Sequence, residues 1–379
     1  MYRQHLLYSE LEGKRIAVLL SGGVDSSVVV CELVKLGLKP DCFYIRIGPE
    51  EHEEWDCNSE EDMEMATAVA AKYGCTLEVV DCHREYWDQV SRYTMEKVRA
   101  GLTPNPDVMC NRLIKFGAFH EKCGKDYDLI ATGHYAQTET EEIVNSKSVN
   151  RKLKWLCTAP DPVKDQTDFL AQIEGWQLEK AVFPIGHYTK DEVRQIAERE
   201  HLVSAHRRDS QGICFLGKID YNDYLRRYLG QRQGDVVELE TGRKIGVHQG
   251  HWFHTIGQRK GLGLGGGPWF VVKKDVGQNI LFVSHGYDPS TAYSQQFVVS
   301  HFHSLNGVMP PAEVAVKIRH TPEWHSATLS PVASSPSDAC SPSYLVHTST
   351  PIHGVAPGQF CVVYDAHHHH CYGSGEISI

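Results

Sequence analysis

The stretch Ser21-Gly22-Gly23-Val24-Asp25-Ser26-Ser27 decides the fold, because it joins a predicted strand to a predicted helix. The apolar run at residues 16–20 before it is typical of a buried parallel strand. Apolar residues then recur up to the closing Gly37, which predicts a helix. Paired glycines let backbone N–H groups approach a phosphate, and a helix N-terminus adds positive potential. The stretch therefore predicts an anion site.

This loop lacks the lysine with which a kinase-type or GTPase-type loop reaches the terminal phosphates. Its residue order instead resembles the SGG-x-DS loop of the ATP pyrophosphatase superfamily, whose members break ATP between the α and β phosphates and pass AMP to a substrate oxygen. The alternative is a serine-glycine turn that caps an ordinary helix. The strand–turn–helix context favours the nucleotide site.

Composition limits the classes of protein that the chain can represent. Its 379 residues predict two or three domains. The net charge of −10 argues against a broadly basic nucleic-acid binder, although local patches leave RNA binding open. The sequence contains no run of about 18 apolar residues and no apolar signal core near its start, which predicts a cytoplasmic protein without a membrane span. Its 12 scattered cysteines are expected to be reduced thiols.

Strand and helix patterns alternate through the first half of the chain, which predicts a doubly wound parallel sheet. The predicted strands are residues 16–20, 42–47, 76–80 and 129–131, and the predicted helices are residues 26–37, 62–73, 86–100 and 189–201. Ligands bind at the carboxyl ends of such strands. The glycine loop and the turn at residues 132–134 are therefore expected at one edge.

The sequence pattern changes beyond about residue 215, where a predicted helix at residues 221–229 is followed by many glycines and short β-like runs. These runs predict small β domains. We divide the chain into a catalytic domain at residues 1–215, a central domain at 216–290 and a β-barrel-like domain at 291–379. The Ser/Pro-rich residues 330–343 are predicted to be a loop.

Two cysteines lie in unusual surroundings. Cys110 follows two prolines and Asp107, which is expected to cap the next helix and to place this thiol in its first, electropositive turn. Cys214 follows Arg207 and Arg208 in a glycine-containing stretch, which suggests a mobile loop with an activated thiol. For each cysteine, a merely structural role is equally compatible with these residues. Neither belongs to a C-x-x-C pair, so zinc is not predicted.

The run His367 to His370 lies between two predicted strands and is interpreted as a solvated hairpin tip rather than a metal site. No metal-ligating residue is predicted. The aromatic residues Trp252, Phe253 and Trp269 are expected in the core rather than on a base-stacking surface.

The order of several further motifs resembles the MnmA/TrmU family of tRNA-uridine 2-sulfurtransferases. The motifs are SGGVDSS, TPNPDVMCN, ATGHYA, KDQTDFL, DSQGICFLG, HTIGQRKGLGLGGGPWFV and APGQF. The blocks NPD-x-x-CN and GICF are specific to that family. The resemblance covers residues 15–377 and implies an ATP pyrophosphatase domain followed by two smaller domains that grip the anticodon arm of tRNA.

The resemblance also implies functional residues. ATP with Mg²⁺ would be held by Leu19, Leu20, Ser21, Gly22, Gly23, Val24, Asp25 and Ser26, and by the main chain near Ile45 and Gly133. The catalytic residues would be Cys110, the persulfide carrier Cys214 and Asp107, whose carboxyl group is a candidate for proton handling. The target base would face Asn105, Pro106 and Asp107. Further tRNA contacts would come from His134, Lys164, Asp165, Gln166, Arg319, His320 and Gln359, of which His320 replaces a commoner aromatic residue.

The implied reaction adenylates the C2 oxygen of the wobble uridine in tRNAs for lysine, glutamate and glutamine, and then replaces that oxygen with sulfur. Attack by Cys110 on the persulfide and attack by free hydrosulfide both stay open. A sulfur-relay protein or a cysteine desulfurase would supply the sulfur, and residues 207–215 are predicted to move. Two other hypotheses remain: a superfamily ligase acting on a small metabolite, which needs neither cysteine, and a non-enzymatic, ATP-gated RNA-binding protein.

Overall fold

The computed structural model describes residues 11–47, 59–143, 151–209, 220–287, 289–332 and 342–378. Its strands are β1 (Ile16–Leu19), β2 (Asp41–Arg46), β3 (Leu77–Asp81), β4 (Leu129–Ala131), β5 (Gln137–Ile143), β6 (Arg151–Cys157), β7 (Ala181–Val182), β8 (Gly234–Glu238), β9 (Lys244–His248), β10 (Trp269–Asp275), β11 (Ile280–His285), β12 (Tyr293–Ser304), β13 (Glu313–Lys317), β14 (His325–Val332), β15 (Ser343–His353), β16 (Phe360–Tyr364) and β17 (His370–Ser378).

The α-helices are α1 (Val24–Lys35), α2 (Ser59–Tyr73), α3 (His83–Tyr86), α4 (Arg92–Arg99), α5 (Pro106–Cys110), α6 (Phe119–Lys122), α7 (Thr167–Leu170), α8 (Gly175–Lys180), α9 (Lys190–Arg199) and α10 (Tyr221–Leu229). Two π-helical segments, Trp87–Ser91 and Asn111–Ala118, connect α3 to α4 and α5 to α6.

The first domain is built on a five-stranded parallel sheet in the order β3-β2-β1-β4-β7. Both faces of the central strand β1 are covered. Ile16 and Val18 belong to the core cluster that contains α1 and α9 residues, whereas Ala17 and Leu19 belong to the cluster on the opposite face. Burial on both faces explains why the strand is a continuous apolar run. The predicted doubly wound parallel sheet is confirmed.

The C-terminal domain is a closed barrel of six strands in the order β12-β15-β14-β13-β16-β17, which the β12–β17 pairing closes. The first domain contributes to the same sheet, because β6 pairs with β17 and β5 pairs with β6. The sequence analysis identified no strand at β5 and β6. The hairpin joins the first domain to the barrel through main-chain hydrogen bonds.

The central domain contains a four-stranded sheet in the order β10-β11-β8-β9. Trp269 and four aliphatic residues form its core, as expected. Trp252 and Phe253 are partly buried against a separate cluster, in which α10 packs on α4 through Tyr224 and Leu225. The central domain is thereby attached to the first domain by apolar contacts.

The predicted loop at residues 330–343 requires a correction at its ends. β14 continues through Val332 and β15 begins at Ser343, because both pair with each other up to that point. Residues 333–341 lie outside the described residues. No helix in the described parts of the chain is long and apolar enough to cross a membrane.

Gly22 allows a prediction with a matched control at Gly37. Both have positive φ angles, +78° and +80°, but a Cβ atom on Gly22 would lie 2.2 Å from the Asp62 carbonyl oxygen, whereas Gly37 faces open space. Gly37→Ala should cost about 1–2 kcal/mol of unfolding free energy from backbone conformation alone. Gly22→Ala should cost clearly more, because the α2 backbone must also move. Urea denaturation of both variants tests this, and equal losses would contradict the steric argument.

Candidate nucleotide and thiol site

The glycine loop leaves β1 and enters α1 with Ser26 and Ser27 buried and Ser21 exposed. Gly23 is the N-cap of α1, and no side chain caps that position. Ser26 Oγ lies 3.2 Å from both the backbone nitrogen and the hydroxyl group of Ser21, and Ser27 Oγ donates to the Gly23 carbonyl oxygen at 2.7 Å. These bonds fix the loop, and the N-terminal turn of α1 keeps the geometry of an anion site.

A second glycine comes close to this loop from the neighbouring strand. A Cβ atom on Gly133, just after β4, would lie 3.0 Å from the Ser26 nitrogen and 3.1 Å from the Asp25 carbonyl carbon. The loop and the turn after β4 therefore meet at the carboxyl edge of the sheet, as predicted. Only glycine permits this approach without displacing the loop.

Ionic groups surround Asp25 at this edge. The Lys190 ammonium lies 2.7 and 2.9 Å from the two carboxylate oxygens of Asp25, and the Tyr135 hydroxyl donates to the same carboxylate at 2.7 Å. Lys190 Nζ also lies 2.9 Å from Asp209 Oδ1. The lysine side chain is only 10% exposed, so a single buried ammonium joins two carboxylates.

Asp209 forms ion pairs with two further cationic side chains. Lys164 Nζ lies 2.8 Å from it and Arg194 Nη2 lies 2.6 Å from it. Partial burial acts to raise the pKa of Asp209, but the hydrogen bonds and charges of Lys164 and Lys190 outweigh burial and lower this pKa to about 2. Asp209 is therefore ionised across the physiological range.

Sequence reasoning did not single out Lys190, Arg194 or Asp209. The available signals were modest: Asp209 opens the DSQGICFLG motif, and Lys190 follows Thr189, the confirmed N-cap of α9 with its capping box to Glu192. Lys164, expected to contact tRNA, forms an ion pair with Asp209 in this structure, and its contact with tRNA stays a prediction.

Arg207 has partners other than a thiol. Its guanidinium group donates to the Gly22 carbonyl oxygen at 3.2 Å and forms an ion pair with Asp62. This arginine therefore connects the glycine loop to α2. Cys214 lies outside the described residues, so its distance from Cys110 and the movement of residues 207–215 stay predictions.

The helix that contains Cys110 begins two residues earlier than the sequence suggested. Asn105 is the N-cap and its side-chain oxygen accepts from the Val108 nitrogen at 3.3 Å, while Pro106 occupies the first helical position. The prediction that Asp107 caps this helix is wrong, because proline is preferred at the first helical position and moves the cap to the preceding residue. Asp107 lies in the first turn, and Cys110 is the last residue of α5 rather than part of its first turn.

Cys110 is 5% exposed and belongs to the core cluster of the first domain. The π-helical segment begins immediately after it, and Asn111 donates to the Phe169 carbonyl oxygen at 3.0 Å. A π-helical segment in this place is notable because such segments occur frequently at functional sites.

The segment before α5 is held by the C-terminal barrel. Gln359 Nε2 donates to the Thr103 carbonyl oxygen at 3.0 Å, and the Thr103 nitrogen donates to the Pro357 carbonyl oxygen at 2.8 Å. A cavity of about 170 Å³ lies beside this segment, lined by residues of the first and central domains: Val98, Leu102, Thr103, Pro104, Asn105, Pro106, Tyr221, Trp252, His254 and Thr255. The predicted base-facing residues Asn105 and Pro106 thus border a concave site.

Other residues expected to contact tRNA are engaged within the protein. His134 is buried, its Nδ1 lies 2.8 Å from the Thr132 hydroxyl oxygen, and burial lowers its pKa well below the usual value. Asp165 and Lys317 form an ion pair at 3.4 Å with both side chains 3% exposed. Gln166 accepts from the Tyr135 nitrogen at 3.1 Å. Their contact with RNA stays a prediction.

Two barrel residues that were expected to contact tRNA also bind partners within the protein. Arg319 donates to the carbonyl oxygens of Ile256 and Gly354, and so joins the barrel to the central domain. His320 lies 4.6 Å from the Phe169 ring centroid and 3.1 Å from an Asp168 oxygen. The hydrogen bond to Asp168 raises the pKa of His320. Its ring therefore keeps an aromatic contact and adds a hydrogen bond. Ile45 packs against the core cluster that includes Cys110.

Three family models match consecutive parts of the chain. They describe a tRNA methyl transferase HUP domain at residues 14–218, a tRNA methyl transferase PRC-barrel domain at residues 222–285 and an aminomethyltransferase β-barrel domain at residues 294–377. These matches follow the parallel-sheet domain, the central domain and the closed barrel described above.

Curated relatives match over nearly the full length. The tRNA-specific 2-thiouridylase MnmA 2 of Bacteroides fragilis (strain YCH46) is 56% identical over 96% of this chain and 99% of its own. MnmA 1 of Bacteroides thetaiotaomicron and MnmA of Porphyromonas gingivalis (strain ATCC 33277) are each 54% identical, again over 96% of this chain and 99% of their own. The chain therefore belongs to the MnmA family of tRNA-specific 2-thiouridylases.

Proposed function

We propose that this chain is an ATP-dependent tRNA-uridine 2-sulfurtransferase, which converts a wobble uridine of tRNA to 2-thiouridine and releases AMP and pyrophosphate. The observation that carries the proposal is 56% identity over 96% of the chain to a protein named tRNA-specific 2-thiouridylase. The glycine loop, the Cys110 helix and the adjoining cavity supply the parts that such a reaction needs. The tRNAs for lysine, glutamate and glutamine are the proposed substrates.

The glycine loop suits the first half of this reaction. The C2 oxygen of uracil is a poor leaving group, and transfer of AMP converts it into a phosphate ester while pyrophosphate leaves. The uncapped first turn of α1 and the close approach of Gly133 provide backbone N–H groups and space for the phosphates. Asp25 is the carboxylate next to this loop and offers oxygen atoms of the kind that Mg²⁺ prefers. Mg²⁺ would enter with ATP and compete with Lys190 for Asp25.

Two cysteine thiols suit the second half of the proposed reaction, which is the transfer of sulfur. The terminal sulfur of a persulfide on Cys214 would form the new bond to C2 as the C2–O bond breaks and AMP leaves. Attack of the Cys110 thiolate on the Cys214 sulfur would then cleave the S–S bond, leave the transferred sulfur on uracil and form a Cys110–Cys214 disulfide. An external thiol would reduce that disulfide. In the alternative, the Cys110 thiolate attacks the Cys214 sulfur first, which forms the same disulfide and releases hydrosulfide, and the hydrosulfide then attacks C2 as AMP leaves.

The base must reach this chemistry from within the anticodon loop. Enzymes that modify a base extrude it from the stack into a pocket. The cavity beside Asn105 and Pro106 lies at the start of the helix that ends at Cys110, and the barrel residue Gln359 donates a hydrogen bond to Thr103, which lines the cavity. We infer that uracil enters there and that Asp107 handles a proton. The anticodon arm, and a relay protein or desulfurase that delivers sulfur in the cytoplasm, are the proposed partners.

Sulfur incorporation into an unmodified tRNA transcript tests the proposal. With ATP and a sulfur source, Cys110→Ser and Cys214→Ser should each lower incorporation by at least about a thousandfold, because each removes a sulfur that forms or breaks a bond. Cys123→Ser is the matched control, since Cys123 is a partly exposed thiol of the same domain outside both motifs. Its incorporation should equal that of the wild type.

The two cysteine variants also distinguish the hypotheses. Pyrophosphate release that depends on tRNA should persist in Cys214→Ser, because adenylation precedes sulfur transfer. Sulfur incorporation in both cysteine variants would overturn the mechanism. ATP turnover that ignores tRNA would favour a ligase acting on a small metabolite.

Lys190→Met should weaken MgATP binding by about tenfold or more, which corresponds to about 1.4 kcal/mol. Without this ammonium, Asp25 would lose its cationic partner and would face the incoming triphosphate as an uncompensated charge, whereas Asp209 would keep Lys164 and Arg194. Lys125→Met removes the same charge from an exposed surface ion pair with Glu121 and serves as control. Calorimetric titration with MgATP gives both affinities. Equal affinities in the two variants would show that Lys190 does not influence the nucleotide site.

A further inference from the structure

Four side chains with metal-ligating atoms converge where the β5–β6 hairpin meets the barrel. We call them the hairpin–barrel cluster: Glu139 on β5, Cys157 at the end of β6, His369 in the turn before β17, and His370 at its start. One ligand atom from each lies within 4.8 Å of those of the other three. The cluster is distinct from the glycine loop and from the Cys110 helix.

The separations of its donor atoms are close to those of a four-coordinate metal site. His369 Nε2 lies 3.0 Å from Glu139 Oε1, and His370 Nε2 lies 3.4 Å from Glu139 Oε2. Tetrahedral Zn²⁺ has bonds of about 2.0–2.3 Å, which place neighbouring donors about 3.3–3.8 Å apart. The two separations measured from Glu139 are thus close to this geometry, and all four donors lie within 4.8 Å of one another.

The histidines are already oriented by their surroundings. Asp365 Oδ1 accepts from the backbone nitrogens of His369 and His370 at 2.7 and 3.1 Å, which fixes the turn that presents both rings. Asp365 Oδ2 lies 3.9 Å from Nδ1 of His370, on the side of the ring away from Glu139. The His370 ring also stacks on Trp155 at 4.9 Å and 26°. A carboxylate behind a metal-bound imidazole is the usual arrangement in zinc sites.

Cys157 completes the set from the protein interior. It is 0% exposed, and the main chain holds it directly opposite His370 in the β6–β17 pairing and opposite Gln137 in the hairpin. A buried thiol below two partly exposed imidazoles and a carboxylate gives one soft and three borderline or hard donors. This mixture suits Zn²⁺ and disfavours Mg²⁺ and Ca²⁺, which prefer oxygen ligands alone.

We propose that the hairpin–barrel cluster binds one Zn²⁺ as a structural ion that fastens the β5–β6 hairpin of the first domain to the C-terminal barrel. Four protein ligands leave no open position, so the site is structural rather than catalytic. Binding displaces the thiol proton of Cys157 to solvent, and no redox step is involved. The His367–His370 run is then partly a metal site, contrary to its interpretation as a solvated hairpin tip alone.

Metal binding by the chelator-stripped full-length protein tests the proposal. Zn²⁺ affinity is measured by competition with a chromophoric chelator, and Co²⁺ is used as a spectroscopic probe of thiolate ligation. Cys157→Ser and His369→Ala should each weaken Zn²⁺ binding by more than about tenfold. Cys157→Ser should also lose the thiolate-to-cobalt charge-transfer band that this site contributes.

Two control variants change residues of the same types that lie outside the hairpin–barrel cluster. His367→Ala removes an exposed histidine of the same run, and Cys361→Ser removes a fully buried thiol of the barrel. Both should bind Zn²⁺ as the wild type does and keep the cobalt band. Zn²⁺ should raise the melting temperature of the wild type and of both controls, but not that of Cys157→Ser.

Several outcomes would overturn the proposal. One is equal Zn²⁺ affinity in Cys157→Ser, His369→Ala and the wild type, which would assign any bound metal to other thiols. Another is an equal loss in His367→Ala and His369→Ala, which would indicate unspecific binding by a histidine run. Glu139→Gln keeps the size of an exposed side chain and therefore leaves no cavity. It tests the same site if Cys157→Ser unfolds when the chelator removes the metal. Unchanged affinity in Glu139→Gln and His369→Ala together would equally overturn it.

Discussion

The carboxyl edge of the parallel sheet depends on the two ion pairs that the buried Lys190 ammonium group forms. This ammonium group lies between Asp25, in the glycine loop, and Asp209, at the start of the DSQGICFLG motif. Two carboxylates that contact the same ammonium group are close enough to repel each other, and the positive charge between them offsets that repulsion. Because Lys190 is the first residue of α9, the helix also fixes where that cation lies. One charge thus joins the glycine loop, the proposed phosphate site, to the chain that leads toward Cys214.

A second constraint is the attachment of the barrel to the first domain. Gln172 donates to the carbonyl oxygen and hydroxyl group of Ser374 at 2.8 and 2.9 Å, and Lys97 pairs with Glu376 at 2.6 Å. Together with the β6–β17 pairing, these bonds hold the barrel against the segment before α5. Several residues with expected roles in RNA binding lie in this same interface. A loss of tRNA binding after their substitution therefore has to be compared with the stability of the interface.

The sequence predicted the parts of the fold that depend on local patterns. The β1–α1 unit and the capping box of α9 follow from apolar periodicity and from capping chemistry within a few residues. The β5–β6 hairpin was missed because β5, QTETEEI, is polar up to its last residue, and because the hairpin joins the sheet through β6, which pairs with the distant strand β17. The Lys190 network joins side chains 165 residues apart in sequence, and local patterns contain no information on such pairs. Asn105 was missed as a cap because Asp107 satisfied the same residue preference two positions later.

The charges at the site explain how a protein with a net charge of −10 can receive a polyanion. Lys164, Lys190, Arg194 and Arg207 all surround the glycine loop, and each is paired with a carboxylate. The attraction for phosphate at the loop must therefore come first from backbone N–H groups and the α1 N-terminus, which need no counter-ion. At the proposed nucleotide site, a bound triphosphate would compete with Asp25 for Lys190. Nucleotide binding and the position of Asp209 would then be coupled, because both depend on the same ammonium group.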